Sequence, residues 1–128
     1  MGSSSNLRQR FTGKIIDEGT YTYVDAGAEQ TVLEITDDVP RILHGVWLDL
    51  STMAQNGTIK CYYKVDGTNY RQTSINGTEQ SYAFTVGDTI DGVYIKMNLG
   101  IRYDFKITYT EGANEGADRD IPYQAVAF

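Results

Sequence analysis

TIKCYYKVDGTNYRQTSI, residues 58–75, reads as a β-hairpin. Ile59, Cys61, Tyr63 and Val65 share one parity and Lys60, Tyr62 and Lys64 the other, the period-two pattern of a strand with one buried face. Asp66-Gly67 supplies the positive-φ residue that a tight hairpin turn needs. Asn56-Gly57 opens the hairpin and Asn76-Gly77 closes it. The same pattern recurs on both sides, and the hairpin therefore decides the fold class.

Upstream, Lys14–Ile16 is expected to be a short edge strand, turned by Asp17-Glu18-Gly19 into Thr20–Val24. Thr31–Ile35 places Leu33 and Ile35 inward, and Pro40 ends the pairing that precedes it. Arg41–Leu50 carries apolar bulk on both parities, Ile42, Val46, Leu48 and Leu50 on one and Leu43 and Trp47 on the other. That pattern predicts a central strand. Downstream, Ser81–Val86 and Val93–Leu99 alternate cleanly. Ile101–Thr110 is predicted as one strand, apolar at every odd position. No stretch holds a helical stripe longer than a turn. Ten tyrosines and thirteen glycines against two prolines fit a turn-rich all-β chain. The expectation is a single antiparallel β-sandwich or jelly-roll-like domain of about eight strands over residues 14–110.

Two extended arms are expected to flank it. Residues 1–13 are small and polar, read either as an unstructured terminus or as a remnant of an expression vector. Residues 111–120 read as an acidic linker, and 121–128 as an apolar tail that closes over the core or adds to a neighbouring subunit. Arg8, Arg10 and Lys14, with no acid in residues 1–16, give +3; Glu111, Glu115, Asp118 and Asp120 against Arg119 give −3. Such opposite charges favour contact between copies, each exposed pair weakly.

At 128 residues the chain is long enough for one core without staples. A net charge of −6 argues against nucleic acid or an anionic membrane as partner. No apolar run approaches the roughly 20 residues of a membrane span. Without an apolar leader or a second cysteine to pair with Cys61, the chain is expected to be made in a reducing cytoplasm.

Catalytic chemistry finds little purchase. His44 is expected inward, as a buried and hydrogen-bonded neutral ring rather than a metal ligand, and Cys61 as a small core hydrophobe. The carboxylate pairs Asp37/Asp38, Asp88/Asp91 and Asp118/Asp120 lie in turns, where acids form turns and solubilise. No zinc spacing or phosphate-cradling loop is present, and no cofactor is expected. Asn56-Gly57-Thr58 and Asn76-Gly77-Thr78 match the glycosylation sequon but read as hairpin turns. The chain is therefore expected not to be an enzyme. A carbohydrate-binding module remains open, with Trp47, Tyr62 and Tyr94 as its aromatic platform. Trp47 also reads as a core or subunit-contact residue.

The segments Trp47–Leu50, Asn56–Ile59, Tyr62–Arg71 and Asp91–Lys96 together resemble small β-sandwich virion proteins of tailed bacteriophages, the capsid decoration and head- or tail-associated accessory proteins. The resemblance spans roughly residues 12–110 and is one of turn pattern, so no functional residue carries over. It implies a non-enzymatic virion structural protein, made in the host cytoplasm and displayed on a particle. Such a protein bridges copies of itself, often as a trimer, and neighbours such as the major capsid or tail protein. The segments unable to bury themselves nominate the assembly residues: Leu7, Arg8, Arg10 and Phe11 at one end, Ile121, Tyr123, Val126 and Phe128 at the other.

Overall fold

The computed structural model describes residues 14–75, 80–87 and 91–128, and these form nine strands and no helix. In chain order they are β1 (Lys14–Tyr23), β2 (Gln30–Ile35), β3 (Arg41–Asp49), β4 (Gly57–Tyr63), β5 (Arg71–Thr73), β6 (Tyr82–Phe84), β7 (Gly92–Ile101), β8 (Phe105–Glu111) and β9 (Arg119–Ala127). They make a sandwich of two antiparallel sheets. One has four strands in the order β1-β9-β3-β7. The other has five, in the order β2-β8-β4-β5, with β6 beside β5 along the same edge of β4. One core fills the space between them. Leu43, Val46 and Leu48 of β3 and Ile121 and Ala125 of β9 join Ile59 and Cys61 of β4 and Phe105, Ile107 and Tyr109 of β8 in it, all essentially without solvent contact.

The hairpin at residues 58–75 is present as β4 and β5, with Tyr62 opposite Gln72. Gly67 takes φ +77° at its turn. The Asp66 carboxylate accepts the N–H groups of Thr68 and Asn69, at 2.9 and 2.8 Å, and these bonds pull its pKa down to about 2. Val65, expected on the inward face, is 70% exposed. The ladder ends at Tyr63, so Val65 belongs to the turn. Asn76-Gly77, expected to close the hairpin, lies outside the described residues.

Bulges explain the other departures from simple alternation. β3 is central, as its double-sided apolar pattern predicts, but register slips between Leu43 and Gly45 against both neighbours. Against β9 the extra residue is His44; against β7 the extra residue lies on β7, where Asn98 takes φ +46°. An extra residue reverses parity. Leu43 is consequently buried and Ile42, predicted to share a face with Val46, points outward. His44 turns outward too, half-buried, where sequence parity placed it in the core. β1 is continuous: Asp17-Glu18-Gly19 pairs with β9 instead of turning, and only a register slip between Ile15 and Asp17 marks the site. The single strand expected over 101–110 is broken at Arg102–Asp104, where the Tyr63 hydroxyl accepts the N–H groups of Arg102 and Tyr103 at 2.9 and 3.2 Å. Phe105, Ile107 and Tyr109 keep the predicted inward parity beyond the break.

The largest correction concerns the C-terminal end. The sandwich does not stop at residue 110. Residues 119–127 form a strand inserted between β1 and β3, inside the sheet. Nor is the preceding segment a solvated acidic linker. Glu115 is buried, and its two carboxylate oxygens accept the N–H groups of Ala54 and Gln55 at 2.8 and 3.0 Å while Arg119 Nε lies 3.3 Å away. Glu111 is nearly as buried and accepts the Glu115 N–H at 3.0 Å. Two of the four acids counted as arm charge thus serve as internal acceptors, which side-chain count alone hides.

Candidate functional site

The outer face of the four-stranded sheet is unlike an ordinary solvated face. Strand pairing sets its rows. Glu18, Gln124, Trp47 and Tyr94 line up across β1, β9, β3 and β7, and Ile15, Val126, Gly45 and Lys96 form the next row. Trp47 is 46% exposed, and the Tyr94 ring lies against it with centroids 4.6 Å apart. Gly45 makes that possible. A Cβ there would come within 2.5 Å of the Tyr94 ring and 2.6 Å of the Ile95 carbonyl oxygen, so the ring occupies the space a side chain would take. His44 contacts the Tyr94 hydroxyl through Nδ1, and Phe128 meets the His44 ring edge-on at 4.9 Å.

Trp47 and Gln124 stand between two depressions. On one side is an open, mainly apolar groove of about 570 Å³ whose lining also includes Asp49, Ser51, Asp91 and Pro122. On the other is a smaller hollow of about 340 Å³, bounded by Lys14, Ile15, His44, Tyr94 and Val126. Ser51, through its hydroxyl and its N–H (3.0 Å), holds Asp49 below the ordinary carboxylate range, so the groove carries an ionised acceptor at neutral pH. Beyond the hollow the face becomes apolar. Ile15, Ile42 and Phe128 are each more than half exposed, and the Phe128 N–H donates to the Ile42 carbonyl at 3.0 Å.

The expected platform of Trp47, Tyr62 and Tyr94 is split. Trp47 and Tyr94 are partners here, but Tyr62 is on the outer face of the other sheet, where its hydroxyl donates to Glu29 at 2.6 Å. There Lys106 lies over the Tyr62 and Tyr70 rings, at 5.2 and 4.5 Å, and Tyr70 donates to Glu34 at 2.5 Å. Glu29 sits below its ordinary value. Burial pushes it up, but hydrogen bonds from Thr108 and Tyr62 outweigh that, with Lys60 and Lys106 nearby. Tyr62 is pushed up to about 12, first by burial and then by its bond to Glu29, and Tyr70 and Tyr109 are also raised. A phenol whose folded pKa exceeds its unfolded value of about 10 contributes stability that is whole below that value and lost as pH climbs through the folded pKa. Spectrophotometric titration at 295 nm should therefore show a late group of tyrosines. They ionise near pH 12 and above, together with loss of the near-ultraviolet dichroism signal, and Tyr62→Phe removes one of them. Ionisation of all ten tyrosines in one step near pH 10 would contradict this.

Of the expected assembly residues, Leu7, Arg8, Arg10 and Phe11 lie outside the described residues. Ile121 is fully buried in the core and is withdrawn as a contact residue, while Tyr123 is half-buried with its ring against Gly19. Val126 and Phe128 do reach the outer face. Sequence reasoning missed Asp49 and Gln124, although Asp49 is two residues from Trp47 and so on its face. The alignment of Gln124 beside them depends on β9 pairing with β3. Cys61 is buried and its thiol is pushed up to about 12 by burial, so it is not a nucleophile near neutral pH. Among the described residues no group of three or more His, Cys, Asp or Glu is placed to hold a metal ion.

No protein-family model matches the chain, and no curated protein does. A solved structure of infectious bursal disease virus, Gx strain, is similar to it at 16% identity with a TM-score of 0.39. The likeness covers 91% of this chain and 30% of that chain. The two-sheet assignment rests on this chain's own strand pairing and not on that likeness.

Proposed function

We propose that this chain is a non-enzymatic structural subunit of a virion, docking to copies of itself and to neighbouring virion proteins. One observation carries the reading. Ile15, Ile42, Val126 and Phe128 gather at one end of the outer face of the four-stranded sheet, where three of them are more than half exposed. A solvated sheet face presents polar side chains outward, and clustered apolar ones mark an interaction surface. The turn-pattern resemblance to phage decoration and accessory proteins supports the particle assignment. In this reading the chain is made in the host cytoplasm and incorporated into the particle, with a trimer as one arrangement of copies. Leu7, Arg8, Arg10 and Phe11, in the segment that precedes β1 in sequence, are further assembly residues in this reading.

Light scattering tests it. The full chain is expected to run above its 14.3 kDa monomer mass. Ile42→Lys combined with Phe128→Lys is expected to return it to monomer with unchanged circular dichroism, because both side chains are already outside the core. A full chain that stays monomeric up to about millimolar concentration, weaker than about 4 kcal/mol of association, would end the proposal of docking between copies through this face.

A further inference from the structure

The geometry points to a second, separate role for the groove beside Trp47: a binding site for a neutral pyranoside. The argument begins with the lining. Trp47 offers an exposed indole face, held in orientation by Tyr94 at 4.6 Å, and flat aromatic faces stack on the C–H side of a pyranose ring. Residues with hydrogen-bonding side chains contribute to the lining of the same, mainly apolar depression: Asp49, Asp91, Gln124 and Ser51. Ionised carboxylates accept hydrogen bonds from sugar hydroxyls more strongly than neutral acceptors do. A volume of about 570 Å³ suits a mono- or disaccharide. Purely apolar ligands would strip water from the two acids without replacing its hydrogen bonds, at a desolvation cost. Charge narrows the class further. Two carboxylates in the groove, Glu18 3.4 Å from Gln124, and a chain net charge of −6 all repel sialic and uronic acids. The site does not depend on the virion reading, because the apolar cluster at Ile42 and Phe128 lies beyond Trp47 at the opposite end of the face.

Trp47 is the chain's only tryptophan, so its fluorescence reports on this groove directly. The full-length protein is titrated with cellobiose, maltose, lactose, chitobiose and sialyllactose to about 10 mM, tenfold above a dissociation constant of about 1 mM. At least one neutral disaccharide is expected to give a saturable change, and sialyllactose to bind more weakly than lactose. Calorimetry on the variants then locates the site. Asp49→Asn is expected to weaken binding about tenfold through loss of charged hydrogen bonds, and Trp47→Ala to abolish it. Tyr62→Phe, on the opposite sheet, is expected to leave binding unchanged. No fluorescence change with any sugar overturns the proposal. So does a preference for sialyllactose, or binding that survives Trp47→Ala. Self-association measured by light scattering is read separately, so the failure of either proposal leaves the other standing.

Discussion

A chain ending at Asp118 will not fold cooperatively. β9 is hydrogen-bonded to β1 on one side and to β3 on the other, so its loss leaves two ladders unpaired within the sheet. It also strips Ile121, Ala125 and Ala127 from the core, each no more than 1% exposed. Substituting Ile121 by Ala is expected to cost about 2–5 kcal/mol from lost burial and the cavity left behind. A domain of this size has about 5–15 kcal/mol in total, which one missing interior strand exceeds. Far-ultraviolet circular dichroism with a urea melt checks it: the truncated chain should lack a sigmoidal transition, and Ile121→Ala should melt at lower urea. A truncated chain with a cooperative melt would mean that β1 closes onto β3 without β9. The outcome separates an interior strand from the dispensable tail that composition suggests.

Glu115→Ala is expected to destabilise the fold by about 3 kcal/mol, a large effect for a residue in a segment that reads as solvated linker. The carboxylate takes the N–H groups of Ala54 and Gln55, in the β3–β4 connection, and holds Arg119 at the start of β9. Its removal unpairs three donors at once, in a region where the Tyr23 hydroxyl already accepts the Glu111 N–H and the Glu111 carboxylate the Glu115 N–H. Glu115→Gln preserves shape and one acceptor and should cost less, about 1–2 kcal/mol. Asp118, exposed, bonds only the Asp25 N–H at 3.1 Å, so Asp118→Ala should stay within about 1 kcal/mol. Chemical denaturation of the three variants ranks them. An order with Asp118 first would mean that the buried acceptor role has been misassigned.

Where sequence reading and structure part, the cause is nonlocal pairing. Alternation placed Ile59, Cys61, Phe105, Ile107 and Tyr109 inward because side chains of an extended backbone alternate whatever lies beside them. It failed at Ile42 and His44, because the bulge that reverses their parity answers to β7 and β9 and not to their own neighbours in sequence. It failed at Val65, because the length of the hairpin ladder fixes where a strand stops. Glu115 resembled its acidic surroundings; only the donors of Ala54 and Gln55, sixty residues away in the chain, make it internal. In the candidate site, Trp47 was legible as an aromatic of outward parity. Its companions Gln124 and Tyr94 come from strands whose order no local pattern encodes.

By itself, then, the sequence determined the class: an all-β sandwich, with most of its strands, the Gly67 turn and most of the core. These follow from backbone geometry and turn chemistry, which act over a few residues. The tertiary structure alone decided that β9 is interior, which acids are buried, and that one sheet carries Trp47, a groove with acids in its lining and an apolar end on a single outer face. A strand's hydrogen-bonding groups are the same beside any partner. Neighbours are therefore chosen by how all the strands together fill one core, and that choice exists only in the folded chain.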